Sequence, residues 1–242
     1  MTTLIVPSQD IINLQQALNA QVGTDIPAQL EITIEVPAHK TVTVHDNVIA
    51  YGTLNTVVTH NITFIVHEHA HLFYDMFITP AHDAALTQSN QIPSTTPTLE
   101  KNLTINLVGQ HAQATLKCGV LGSTGETFKF KTLQHHQAAH TISRLEVRSV
   151  LDQQAKLVCN SMIKVEKSAQ HTDAHLENKN ILLNKGARAV SIPQLEIEAN
   201  DVKCGHGAAV SKLSNDDLFY LQSRGIDLPT TKRLLIDAFL SI

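Results

Sequence analysis

From Leu30 onward, apolar and polar residues alternate with a period of two, first in LEITIEVPAHKTVTVHDNVIA and then in TVVTHNITFIVHEHAHLFYDMFI. Successive side chains of a strand point to opposite faces, so this period predicts β-strands with one buried side. Pro37, Asn47, Gly52 and Asn61 punctuate them into short pieces. Residues 80–101 are polar, carry Pro80, Pro93 and Pro97, and read as a loop with no core of its own. Alternation resumes in NLTINLV, ATLKCGV, ETFKFKTL, HTISRLEVRSVL, KLVCNSMIKV, HLENKNILL, AVSIPQLEIEA and DVKCGHGAAV. Short polar elements such as DQQA, EKSAQ and NKGA recur between them without a strict period. No helix-period segment intervenes, which argues against βαβ units. A sandwich and a coil of parallel strands both remain open on periodicity alone.

The ends read as helical. Ser8 is placed to cap a leading helix in which Ile11, Leu14 and Leu18 form an apolar stripe. Ser214 with Asp217 three residues on resembles a capping box, Leu218 and Leu221 share a face, and Gly225 supplies a left-handed stop. Asp227 caps a second helix with Pro229 in its first turn and an apolar face of Leu234, Leu235, Ala238 and Phe239. The chain therefore divides into residues 1–213, strands with a leading helix, and 214–242, a helical segment. A helix pair of this size must dock on the strands, on a partner, or on both.

Bulk properties narrow the picture. The hydrophobic fraction is 43% and the charged fraction 17%, ordinary for a folded protein. Aromatics make up 4% and there is no Trp, which suits a core of aliphatic residues in regular strand stacks. A net charge of −4 without a Lys/Arg run argues against nucleic acid. Cys118, Cys159 and Cys204 contain no C-x-x-C pair and point to reduced thiols. MTTLIVPSQD lacks a basic region before an apolar run, and no apolar run reaches membrane-spanning length, so a soluble, cytoplasmic protein is expected.

Two patterns carry candidate chemistry. Cys204 and His206 are two apart, so on a strand both point to one side, and thiolate with imidazole suits a thiophilic metal. Two donors do not close a tetrahedral site; the rest must come from elsewhere. The small Gly205 and Gly207 would let a partner or bound species approach closely. HEHAH, residues 67–71, would align His67, His69 and His71 on one exposed strand face. His135 and His140 suit a β-sheet surface as neutral histidines, and His136 is expected to be structural. Neither a G-x-S-x-G elbow nor a G-x-x-x-x-G-K-[ST] phosphate loop occurs, and the acidic residues are scattered, so a catalytic role is not expected.

The stretch Pro193–Ile226, PQLEIEANDVKCGHGAAVSKLSNDDLFYLQSRGI, resembles the C-terminal signature of the SufB/SufD family in its SufD form. The likeness continues upstream through NKNILLNKGARAVSIPQLEIEA and VCNSMIKVEKSAQHTDAHLENK, and more loosely to His136 and Ser143. It implies a mainly β protein, a right-handed parallel β-helix with a short N-terminal helix and a C-terminal helix pair. It implies a scaffold of the SUF iron–sulfur cluster assembly complex that pairs with a SufB-like subunit and an ABC-type ATPase, SufC-like. The resemblance places His206, and less firmly Cys204, at the subunit junction where a transient iron–sulfur cluster forms, with no firmly bound cofactor. It makes the C-terminal helices the ATPase dock, with Leu218, Phe219, Tyr220, Arg224, Leu234, Leu235 and Phe239 as candidate partner-binding residues. Gly205 stands where the family usually has Ser, and Ala209 where it has Thr. The chain also reads as shorter than SufD proteins at both ends. Such a reduced member is expected alternatively to form a homodimeric binding module by stacking strands edge to edge. A β-helix enzyme acting on a small molecule or sugar is the further alternative, and would need a cleft of clustered carboxylates.

Overall fold

The computed structural model describes residues 2–4, 11–14, 29–49, 57–79, 97–123 and 125–241. Among the described residues, fourteen strands alternate between two parallel sheets of seven. One sheet runs β1 (Thr2–Leu4), β3 (Gln29–Val36), β5 (Val57–Val66), β7 (Thr98–Leu107), β9 (Thr127–His136), β11 (Lys156–Val165) and β13 (Arg188–Ile197). The other holds β2 (Ile11–Asn13), β4 (Thr41–Ile49), β6 (His71–Thr79), β8 (Gln113–Gly122), β10 (Ile142–Leu151), β12 (Asp173–Leu182) and β14 (Lys203–Ser211). Each strand pairs with the next but one in sequence, so the chain coils as a parallel β-helix, and the choice between sandwich and coil falls to the coil.

The period of two explains why it coils. One residue in two faces the interior, and in-register parallel pairing stacks like on like from rung to rung. Val44, Tyr74, Leu116, Leu145 and Leu176 form one such column. Ile34, Phe64 and Ile105 begin another in the facing sheet, and all eight are buried. Burial of each large side chain contributes roughly 1.5–3 kcal/mol. A single cluster from Ile12 to Ala199 joins both sheets.

Two expectations are corrected at the edges of the pattern. Ile11–Asn13 is a short strand paired with Thr43–His45, not part of a helical stripe. Pairing with β4 overrides a stripe of three residues. Leu14 takes up helical conformation and is fully buried, while Ser8 and Leu18 lie outside the described residues. In the polar stretch 80–101, residues 98–101 already belong to β7, and 80–96 lie outside the described residues. The sequence signal failed there because Lys101 occupies an inward position. It is 0% exposed, with its Nζ 2.6 Å from Asp46 Oδ2, which also accepts from Tyr74 OH at 2.6 Å.

After β14 come α1 (Asn215–Ser223) and α2 (Leu228–Leu240). The caps form as expected: Ser214 Oγ accepts from the Asp217 N–H at 3.2 Å, and Asp227 Oδ1 from the Thr230 N–H at 2.8 Å. Pro229 sits in the first turn of α2, and Gly225 has φ +86°. Ile236 and Leu240 of α2 pack on Val150 and Ile181, against the outer side of the β10–β12 region. Arg148 fastens the helix end, donating to the carbonyls of Phe239 at 2.9 Å and Ser241 at 3.3 Å. The docked face is thus Thr231, Ile236 and Leu240, with Leu235 and Phe239 half-buried. Leu234 and Ala238, expected on the apolar face, are exposed. The rungs, rather than the helix stripe alone, choose the face.

Candidate functional site

Among the described residues the last rung, β13 with β14, ends both sheets, so each strand presents one edge that no described strand pairs. Register carries the interior columns into it: Cys204 stands on Ala174, His206 on Leu176, and Leu195 on Ile163. Ala174, Leu176 and Ile163 are buried, whereas His206 is exposed and Leu195 is 40% exposed. The difference has one cause: among the described residues nothing stacks on the final rung. Ile197 at 40% and Val210 at 53% are bared in the same way. Cys204 and His206 therefore point to the same side, as their spacing implied, and that side is the open end of the core.

Beneath this rung the interior also holds polar groups. Asn178 Nδ2 donates to Ser191 Oγ at 2.8 Å, joining the two sheets across the core. Asn180 donates to the Ala209 carbonyl at 3.2 Å and accepts from Ser149 Oγ at 2.6 Å. Hydrogen-bonded amides in a confined space orient rigidly, so the floor of the open end is ordered.

Cys204 is half-buried against the core. Burial pushes its thiol above the ordinary value, a hydrogen bond from the Ala174 backbone acts in the opposite direction, and Asp173 adds to the rise. It is a thiol at neutral pH, and a metal or a neighbouring cation must displace its proton before it ligates. Among the described residues no three His, Cys, Asp or Glu side chains converge as a metal group, so this rung alone supplies two donors. Steric need does not explain the glycines: a Cβ at Gly207 would meet nothing within 4 Å, and one at Gly205 would lie 3.4 Å from His175 Nδ1. A Ser at 205 fits this space. On the outer face of these strands Arg144, Asp173, His175 and Lys203 line a shallow cavity of about 360 Å³, with Arg144 Nη2 2.9 Å from Asp173 Oδ2.

The candidate partner-binding residues divide. Phe219 is 75% and Tyr220 55% exposed on α1, which buries no residue, and Arg224 lies over the Tyr220 ring at 5.2 Å. Leu234 is 46% exposed on α2. Leu218, Leu235 and Phe239 are half-buried, and Phe239 packs on the rungs. The helices thus keep one apolar side for the rungs and display another.

The HEHAH histidines do not share a strand face. They span the turn between β5 and β6, with His69 at φ 52° and His71 opening β6, where its Nε2 lies 3.2 Å from Thr115 Oγ1. His136 is structural, 0% exposed, with Nδ1 2.7 Å from Thr141 Oγ1 and Nε2 2.9 Å from Ser143 Oγ. His140 occupies a turn corner rather than a sheet surface. The Asp46–Lys101–Tyr74 group went unseen, because nothing local in the sequence pairs residues of separate rungs.

The family profile described as "SUF system FeS cluster assembly, SufBD core domain" matches residues 19–239. The iron–sulfur cluster assembly protein SufD of Escherichia coli is 32% identical over 141 residues, 58% of this chain and 33% of that protein. SufD of Bacillus subtilis is 31% identical over 144 residues, 60% of this chain and 33% of that protein. A SufBD family protein of Synechocystis, slr0076, is 41% identical over 92 residues, covering 38% of this chain and 20% of that protein. The aligned part of the chain thus spans 33% of the length of each SufD relative. No helix among the described residues is long and apolar enough to cross a membrane. Because the profile runs through the rungs, the open end and both C-terminal helices, the chain belongs to the SufB/SufD family and is SufD-like within it.

Proposed function

We propose that this chain is a non-catalytic scaffold of iron–sulfur cluster assembly whose open rung accepts a SufB-like β-helix. The single observation behind this reading is that final rung, where both strand edges are unpaired and the core columns end in bared Leu195, Ile197, Val210 and His206. A partner stacking there would satisfy the edge hydrogen bonds and cover the apolar column ends. Cys204 and His206 would then lie at the joint, supplying two donors to a transient cluster completed by partner ligands. The cluster is cargo on this reading. The exposed Phe219, Tyr220 and Leu234 supply a surface of the residue types that anchor interfaces, suited to a SufC-like ABC ATPase. That ATPase would provide nucleotide hydrolysis.

Affinity purification of the chain, tagged at its N-terminus, from its native cell extract tests the complex. Recovery of an ABC-type ATPase with a larger SufB-like protein is expected. A homodimer with neither protein would favour the second reading, edge-to-edge pairing of two copies, which the same unpaired edges permit. His206→Ala tests the joint: cluster maturation in cells should fall while the complex still forms. Unchanged maturation would remove His206 from the site.

A further inference from the structure

Five turns that join one sheet to the other each carry a histidine in the left-handed backbone region: His39 (φ 61°), His69 (φ 52°), His111 (φ 58°), His140 (φ 60°) and His171 (φ 60°). They fall on five successive rungs, and their rings stack along one corner of the coil. Centroids of neighbours are 5.2, 4.7, 4.9 and 4.7 Å apart, with planes inclined by 13°, 11°, 11° and 21°. All five side chains are exposed. The backbone N–H of each donates to a carbonyl on the next rung, at Glu68, Gln110, Ala139, Gln170 and Asp201, so the corner is held in register.

Backbone geometry does not account for the choice. A positive φ is met at lower cost by Gly, and Asn accepts it as readily as His. Gln153, at φ 49° in a turn on the opposite side, shows that this solenoid does not require a ring there. A repeated imidazole with its edge in water offers a row of nitrogen donors at the rung spacing.

We propose that the His39–His69–His111–His140–His171 ladder is a binding strip for divalent first-row transition-metal ions, each held by two imidazoles of adjacent rungs. Imidazole is a favoured ligand for such ions. Bonds of about 2.0–2.1 Å to one tetrahedral ion set two nitrogens about 3.3 Å apart. The rings stack face to face, so their in-plane nitrogen lone pairs run nearly parallel, and to meet at one ion two neighbouring rings must swing about the broad χ2 torsion of His as well as close by about 1.5 Å. With two protein donors per ion, the remaining positions belong to water, and the ions exchange readily. Carboxylates flank the strip: Glu68 Oε1 lies 4.0 Å from His69 Nε2, and Asp201 Oδ2 lies 2.9 Å from His171 Nδ1. The Asp201 contact occupies Nδ1 and leaves Nε2 of His171 as the donor. The strip stops one rung short of Cys204 and His206 and depends on no partner, so it stands apart from the function proposed above.

Because only neighbouring rings pair, placement of substitutions matters more than their number. His69→Asn with His140→Asn leaves three imidazoles, none adjacent to another. His39→Asn with His171→Asn removes as many but leaves His69, His111 and His140 adjacent. Asn accepts the left-handed backbone, and Gly at the same positions gives a second pair of variants should Asn disturb folding. The whole chain is titrated with Cu(II) alone and followed by electron paramagnetic resonance, with circular dichroism to confirm folding. The native chain should bind at most two ions in two-nitrogen coordination. The first variant should lose that signal and bind at least about tenfold more weakly, while the second keeps one such ion. Equal weakening in both variants would mean scattered single-histidine binding and overturn the proposal. So would absence of two-nitrogen coordination in the native chain.

Discussion

Lys101 sits in the core with no exposure, and Asp46 answers it. Burial pushes the Asp46 carboxyl up, but the Lys101 charge, its hydrogen bond and the Tyr74 hydroxyl together hold it below the usual range. Removing one partner strands a buried charge, so Lys101→Met should destabilise by about 3–5 kcal/mol. Asp46→Leu together with Lys101→Met should cost less than Lys101→Met alone, and urea unfolding checks both. His136 gives a pH-dependent counterpart. Burial, with the neighbouring His135, lowers it from 6.5 to about 3. Folded protein holds it neutral over that window while the unfolded chain takes up a proton. Its contribution is therefore whole above about pH 6.5 and declines below, by about 1.4 kcal/mol per pH unit, until about pH 3. Unfolding curves across pH 7 to 4 should be flatter by that amount in His136→Gln than in the native chain. The role of Lys101 was not legible locally, because a lysine in a polar, proline-bearing stretch reads as loop, whereas His136 was expected to be structural and is.

At the scale of elements, alternation predicted most of the strands, and capping residues marked the starts of both C-terminal helices. The turns were less legible, because a left-handed corner leaves no periodic signature. Gly109 shows how tight these corners are: a Cβ there would lie 2.0 Å from the Glu68 backbone nitrogen. Any larger residue must displace the turn beneath it. The docked face of α2 differs from the expected stripe of Leu234, Leu235, Ala238 and Phe239, since the run Leu234–Ile236 offers apolar side chains on several sides of the helix and the rungs take Ile236 and Leu240. Ile236, 4% exposed, is central to the face adopted. Ile236→Glu should release α2 and leave the rungs folded. Hydrogen exchange would then rise throughout Leu228–Leu240 with little change in β10. A rise extending into β10 would show that the helix supports the rungs rather than resting on them.

The described rungs form a stack whose columns need a neighbour on each side, and among the described residues the final rung lacks one. Leu195→Lys with Val210→Lys places charges on column ends already 40% and 53% exposed. Stability of the isolated chain should change by less than about 1 kcal/mol, whereas association at this edge, with a SufB-like protein or a second copy, should be lost in light scattering and co-purification. Retained association would move the interface elsewhere.

What the sequence determined by itself was the period of two, the helix caps and a motif order specific enough to reveal the family. These follow from local rules, as neighbours along the chain decide which face a side chain takes and where a helix starts. Periodicity left sandwich and coil open, and the family resemblance in the sequence already implied the coil; only the tertiary structure decided Asp46 as the partner of Lys101, the corner stack of five histidines and the exposure of His206. Asp46 and Lys101, 55 residues apart, meet from strands of opposite sheets, whereas the histidine stack depends on residues about one rung of roughly 30 residues apart being set in register about 4.7–4.9 Å from one another. Parallel pairing creates that proximity, and alternation along the chain does not encode it.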